Sequence, residues 1–176
     1  TIIGADISRQ MIKDAIFKSP QHSKAHYLVA DAENLPFRHG IFDACIGFGI
    51  LHHVTIPEKT IEHISRCLKK GGIYFGHENN KSLFRPLFDF LMKIFELWHE
   101  EAGDHQLFSQ KELQDLCQRH HLQLNVQTHI FLPPHFFNMF TSKQAETMMG
   151  FTDSFFQHLP FIKHHGGTLL FQAEKT

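Results

Sequence analysis

The chain has 176 residues, 42% hydrophobic and 20% charged, a composition that builds one domain with a substantial core rather than a disordered or fibrous segment. Seventeen basic and eighteen acidic residues leave a net charge of −1, so no field recruits nucleic acid or an anionic membrane surface. No run of about 18 apolar residues is present, which excludes a membrane-spanning helix. Cys45, Cys67 and Cys117 are odd in number and form no Cys-x-x-Cys pair, as expected of reduced thiols in a cytoplasmic protein. Sixteen histidines are the compositional oddity, able to add positive charge below about pH 6.5.

Thr1–Ala5 reads as a strand, and Ser8 is placed to cap a helix reaching about Lys18. Met11, Ile12, Ala15 and Ile16 are spaced to face inward on that helix, and Ser19-Pro20 ends it. His26–Ala30 is the next strand, followed by a polar loop from Asp31 to Gly40. The apolar run Phe42–Gly49 has the pattern of a strand covered on both faces. Pro57–Lys69 is a helix with Ile61, Ile64 and Leu68 on one stripe, stopped by Gly71-Gly72. Ile73–Glu78 is a further strand. This alternation predicts an α/β sheet.

The second half differs. Leu83, Leu87, Leu91, Ile94, Phe95 and Trp98 form a helical stripe broader than one sheet contact needs once Phe84, Phe88 and Met92 are added. Ser109 begins another helix, with Leu113, Leu116 and Cys117 inward. Leu122–Phe131 alternates apolar residues with Gln and Asn, an antiparallel-type strand with one wetter face. Pro133-Pro134 breaks it, a Phe- and Met-rich stretch runs to Phe161, and Gly166-Gly167 leads into a last strand, Thr168–Gln172. No repeat and no second domain boundary is visible, so 1–176 reads as a single domain with helical insertions between 80 and 165.

Asp6 and Asp31 each follow a short apolar run, which places both at the carboxyl ends of parallel strands. Open α/β sheets bind nucleosides at that edge, and a carboxylate there accepts two ribose hydroxyls at once. Such an acid normally follows a Gly-rich loop by about 20 residues, and the chain begins too close to Asp6 to hold one. The plainer alternative is that both acids cap their own loops.

The phrases GADIS, VADAENLPF, FDACIGFGILHHV and RCLKKGG with GHENN, in that order, resemble the class I S-adenosylmethionine-dependent methyltransferases, most of all the small-molecule "type 11" branch. The likeness covers about residues 1–80 and returns at 166–171. It implies a Rossmann-like sheet, mostly parallel with an antiparallel last strand, that lacks the family's first strand and its glycine loop. That strand is central in the family. Its absence implies a slot of roughly 10 Å between the strands starting at Thr1 and Phe42, with two unpaired edges. The expectation is that the natural protein extends upstream.

The resemblance also implies roles. Asp6 binds the ribose hydroxyls, Ile7 and Met11 flank the adenine, Asp31 accepts the adenine amino group, and the Ala32 amide donates to a ring nitrogen. Gly47 and Phe48 lie near the transferring methyl. His52 and His53 are candidate general bases, or else residues that shape the pocket. His77, Glu78 and Asn79 are candidate acceptor contacts, or a solvated loop. His120-His121 and His164-His165 lack ligand-spaced partners, so no metal is expected. The implied activity is methyl transfer from S-adenosylmethionine to a small-molecule or lipid-like acceptor, the insertions forming the acceptor pocket or a homodimer face. A methyltransferase-like scaffold without activity is the alternative. A short-chain dehydrogenase is disfavoured, since neither Tyr27 nor Tyr74 has Lys four residues on.

Overall fold

In a computed structural model, residues 1–20, 23–86, 90, 106–132 and 140–176 are described. Most of the helix expected over Leu83–Trp98, and residues 133–139 of the Phe- and Met-rich stretch, lie outside them. In chain order the elements are β1 (Ile2–Asp6), α1 (Arg9–Lys18), β2 (Ala25–Val29), a 3₁₀ turn (Ala32–Asn34), β3 (Phe42–Phe48), α2 (Pro57–Cys67), β4 (Leu68–Asn79), α3 (Gln110–Arg119), β5 (Leu122–His129), α4 (Ser142–Gln157) and β6 (Thr168–Lys175).

The strands form two groups. β1 pairs with β2 in parallel, and a four-stranded sheet runs in the order β3-β4-β6-β5. β3 and β4 are parallel, and β6 is antiparallel to both of its neighbours. Among the described residues neither β1 nor β3 has a partner on its other edge. This is the interrupted sheet expected above, with the break between the first and third strands.

α2 and α3 cover one face of the four-stranded sheet. Ile61, Ile64, Leu113, Leu116 and Cys117 pack there with Tyr74, Leu122, Leu169, Phe171 and Ala173. α3 starts in a capping box: the Ser109 amide donates to Glu112 Oε2 (2.7 Å) and the Glu112 amide to Ser109 Oγ (3.2 Å). Those bonds hold the Glu112 carboxyl below its ordinary range. The opposite face is bare among the described residues. It carries exposed Ile46, Phe48, Phe75 and Leu170, and turns polar toward β5 with Gln123, Asn125 and Gln127.

Three expectations change. β3 is covered on one face rather than two, because no described helix lies over Ile46 and Phe48. On α1 only Ile12 of the expected stripe is buried, and Met11 and Ile16 are more than half exposed. That helix leans on a two-stranded sheet, too narrow to cover the whole stripe. α2 ends at Cys67 rather than Lys69, because Leu68 is fully buried and already pairs with Phe42 in the sheet. The register then jumps to Ala44 opposite Ile73, a bulge in which Gly71 takes φ +74°.

β4 and β6 meet closely at Gly76, which pairs with Phe171. A Cβ at Gly76 would fall 2.0 Å from Phe171 Cζ, and that ring is held in the core edge-on to Tyr74, 5.3 Å away. Gly76→Ala is therefore expected to lower stability by about 1 to 3 kcal/mol through overpacking. A denaturant midpoint equal to that of the parent chain would contradict this packing.

Candidate functional site

The two acids singled out from the sequence stand at one edge. Asp6 closes β1, and its Oδ1 accepts the Ser8 amide (2.7 Å). Asp31 lies just past β2, and its Oδ1 accepts the Glu33 amide (2.9 Å). Each acid thus caps a local turn, as the plainer reading holds. Each also keeps Oδ2 without a hydrogen bond to any described residue, so neither role excludes the other. Glu33 was not legible as functional. Its Oε1 accepts the amides of Thr55 (2.6 Å) and Ile56 (3.0 Å), tying the loop after β2 to the entry of α2.

A cavity of about 910 Å³ opens between β1 and β3. It brings together Asp6, Ile7, Asp31, Ala32, Gly47 and His53. Met11 and Phe48 do not line it and are exposed. At Gly47 a Cβ would stand 3.0 Å from Ile50 Cγ2 and 3.1 Å from the Tyr74 hydroxyl, a tight fit that a bare backbone avoids. The Tyr74 hydroxyl is buried with no partner among the described residues, and burial raises its pKa well above the ordinary value. Cys45 also lines the cavity. Burial, with Cys67 nearby, pushes its thiol up to about 11, which keeps it protonated and poorly nucleophilic at neutral pH.

His52 points elsewhere. Glu78, near the end of β4 and fully buried, accepts the Leu51 amide at Oε1 (2.7 Å), and its Oε2 lies 2.7 Å from His52 Nδ1. The His52 ring is tilted against His53, centroids 4.1 Å apart. Residues 77–79 are thus strand, not a solvated loop, because they pair with Thr168–Leu170 of β6. α4 sits by the carboxyl end of β5, where Asp153 accepts the amides of Ile130 (3.1 Å) and Phe131 (3.2 Å), but it does not line the cavity.

His77, on the bare face of β4 beside Phe48 and Leu170, carries a pH signature of its own. Burial lowers its pKa from the ordinary 6.5; Glu78 opposes this, and His52 and His129 reinforce it. The unfolded chain takes up this proton near pH 6.5, and the folded chain only at lower pH. The contribution to stability is therefore complete above about pH 6.5 and is lost as the pH falls toward the folded pKa. Midpoints measured at pH 7.5 and 5.5 should differ less in His77→Gln than in the parent chain.

An interrupted α/β sheet on a Rossmann-like frame carries two acids at the carboxyl ends of adjacent parallel strands, with Gly47 lining the same cavity. The fold is that of the class I S-adenosylmethionine-dependent methyltransferases. A methyltransferase of Thermotoga maritima described as a possible histamine N-methyltransferase superposes with a TM-score of 0.67 at 21% identity, over 99% of this chain and 73% of that one. Residues 1–76 match the methyltransferase-domain family. A tRNA (carboxymethyluridine(34)-5-O)-methyltransferase of Arabidopsis thaliana is 34% identical over 104 residues, 54% of this chain and 24% of its own length. The ubiquinone/menaquinone biosynthesis C-methyltransferase UbiE of Wigglesworthia glossinidia brevipalpis is 36% identical over 101 residues, 55% of this chain and 38% of its own. The chain spans less than half the length of either relative. The [4+2]-cyclase SpnF superposes with a TM-score of 0.64 at 18% identity, over 99% of this chain and 66% of that one. The frame alone therefore does not fix the reaction.

Proposed function

We propose that this chain forms the cofactor-binding core of an S-adenosylmethionine-dependent methyltransferase that acts on a small-molecule or lipid-like acceptor. The observation that carries the reading is the cavity itself, with an uncommitted oxygen on each of Asp6 and Asp31 and the bare Gly47 opposite. These residues fit the nucleoside half of the cofactor. Asp6 Oδ2 accepts a ribose hydroxyl, Asp31 Oδ2 the adenine amino proton, and the Ala32 amide donates to the ring, with Ile7 against its face. Gly47 permits close approach near the reacting centre. When bound, the cofactor supplies a methyl group on a positively charged sulfur. Positioning can supply much of the acceleration of such a displacement.

The near-neutral charge of the chain favours a small or lipid-like acceptor over a polyanion. α4, by the carboxyl end of β5, and the insertion that precedes it in sequence are the proposed acceptor side. Calorimetric titration with S-adenosylhomocysteine, on the protein expressed from its own initiation codon, tests the reading. One site per chain is expected. Absence of binding would overturn it in favour of a scaffold without activity.

A further inference from the structure

We propose that α4 is a membrane-docking helix, whose outer ridge of Met148, Phe151 and Phe155 seats in the headgroup boundary of a lipid bilayer beside the carboxyl end of β5. The proposal extends the methyl-transfer reading above, because it states where a lipid-like acceptor is met, and it stands or falls separately.

α4 is built inside out. A surface helix ordinarily turns its apolar stripe to the core and its polar side to water. The side of α4 against the sheet carries polar anchors instead. Asp153 accepts the Ile130 and Phe131 amides at the end of β5, and Gln157 Nε2 donates to the Thr128 carbonyl (3.1 Å). Phe156 is the apolar contact on that side, its ring 5.5 Å from that of buried Phe131. No residue of α4 is itself buried. Met148, Phe151 and Phe155, at i, i+3 and i+7, share one face and are 39, 73 and 55% exposed.

Size and charge select a bilayer over a second copy of the chain. The three side chains expose roughly 300 Å², taking about 200 Å² for each when whole. A stable dimer buries about 800 Å² on each partner. So narrow a ridge suits shallow insertion among lipids, where Phe is a common anchor. Its border carries exposed Thr147, Ser154 and His158, and the Thr147 hydroxyl is already satisfied by the Lys143 carbonyl (2.9 Å). Glu146 lies seven residues before Asp153 and so on the same side of the helix, away from the ridge. No carboxylate of α4 has to enter the headgroups. With a net charge of −1 on the whole chain, apolar insertion rather than a charge field supplies the attraction. Among the described residues no helix is long and apolar enough to cross a membrane, so the contact is interfacial.

Flotation of the protein expressed from its own initiation codon with phosphatidylcholine vesicles tests the proposal. The parent should float with the vesicles. Raising sodium chloride from about 0.1 to 0.5 M should change the bound fraction less than about twofold, since salt screens charge attraction alone. Replacing both rings, Phe151→Ser with Phe155→Ser, should lower the partition coefficient at least about tenfold. Its melting temperature should match the parent's, because both rings are already largely in water. Phe17→Ser removes an equally exposed ring from α1 and should float like the parent. A parent that does not float overturns the proposal, as do equal flotation of the double variant, an equal loss in Phe17→Ser and release by salt. A parent that sediments as a dimer without vesicles, and as a monomer in the double variant, assigns the ridge to a second copy and overturns it too. Titration with S-adenosylhomocysteine without vesicles keeps the two readings apart. Binding without flotation leaves the methyltransferase reading standing, and flotation without binding leaves the docking helix.

Discussion

Asp31→Asn and Asp6→Asn should each weaken S-adenosylhomocysteine binding by about 1.5 to 3 kcal/mol, the range for losing hydrogen bonds to a charged group, and leave thermal stability nearly unchanged. Asparagine is the informative replacement because each aspartate does two jobs with two oxygens. Oδ1 caps a turn, through the Ser8 amide at Asp6 and the Glu33 amide at Asp31. An amide oxygen can take over that cap. The second position becomes an NH₂ donor, which faces the ribose hydroxyl poorly and meets the adenine amino group with a like donor. Alanine would remove cap and ligand contact together, mixing a loss of stability into the loss of affinity. Titration of the protein expressed from its own initiation codon, with melting curves on the same samples, separates the two. Unchanged affinity in both variants would return the acids to a capping role alone.

Several parts of this arrangement were legible in the sequence because a local signal carries them. Ser109, with the spacing of Leu113, Leu116 and Cys117, announced α3, and those three residues are its buried stripe. The Gln and Asn alternation of β5 marked its wet face. Asp6 and Asp31 could be placed on one edge because each follows an apolar run at the end of a parallel strand. Other parts depend on contacts between distant residues. Nothing near Glu78 in the sequence says that its carboxylate is buried and bonded to Leu51 and His52, 27 and 26 positions away. Glu33 is equally silent, since its partners are the backbone amides of Thr55 and Ile56 rather than side chains with a signature. The end of α2 was misplaced for a related reason. Helix propensity continues through Lys69-Lys70, and pairing of Leu68 with Phe42 overrides it.

The 176-residue polypeptide by itself should self-associate, and Ile46→Lys should shift it toward monomer. Among the described residues two edges without a strand partner face one cavity, that of β1 and that of β3. Beside them Ile2 is 69% exposed, Ile46 70% and Phe48 66%. Free edges flanked by apolar residues are templates for pairing with another chain, and the bare face carrying Ile46, Phe48, Phe75 and Leu170 adds apolar surface next to them. A lysine at position 46 places charge on that face with little cost to the fold, because the residue it replaces is already largely in water. A parallel strand set between β1 and β3 would satisfy both edges at once. A polypeptide carrying one should stay monomeric and bind S-adenosylhomocysteine, and the 176-residue chain should show no measurable affinity. Sedimentation velocity at tens of micromolar, with calorimetry on the same preparations, provides the comparison. A monomeric 176-residue chain that binds the cofactor at micromolar concentration would show that α1, α2 and the loop tie through Glu33 hold the two sheet fragments in place without any strand between them.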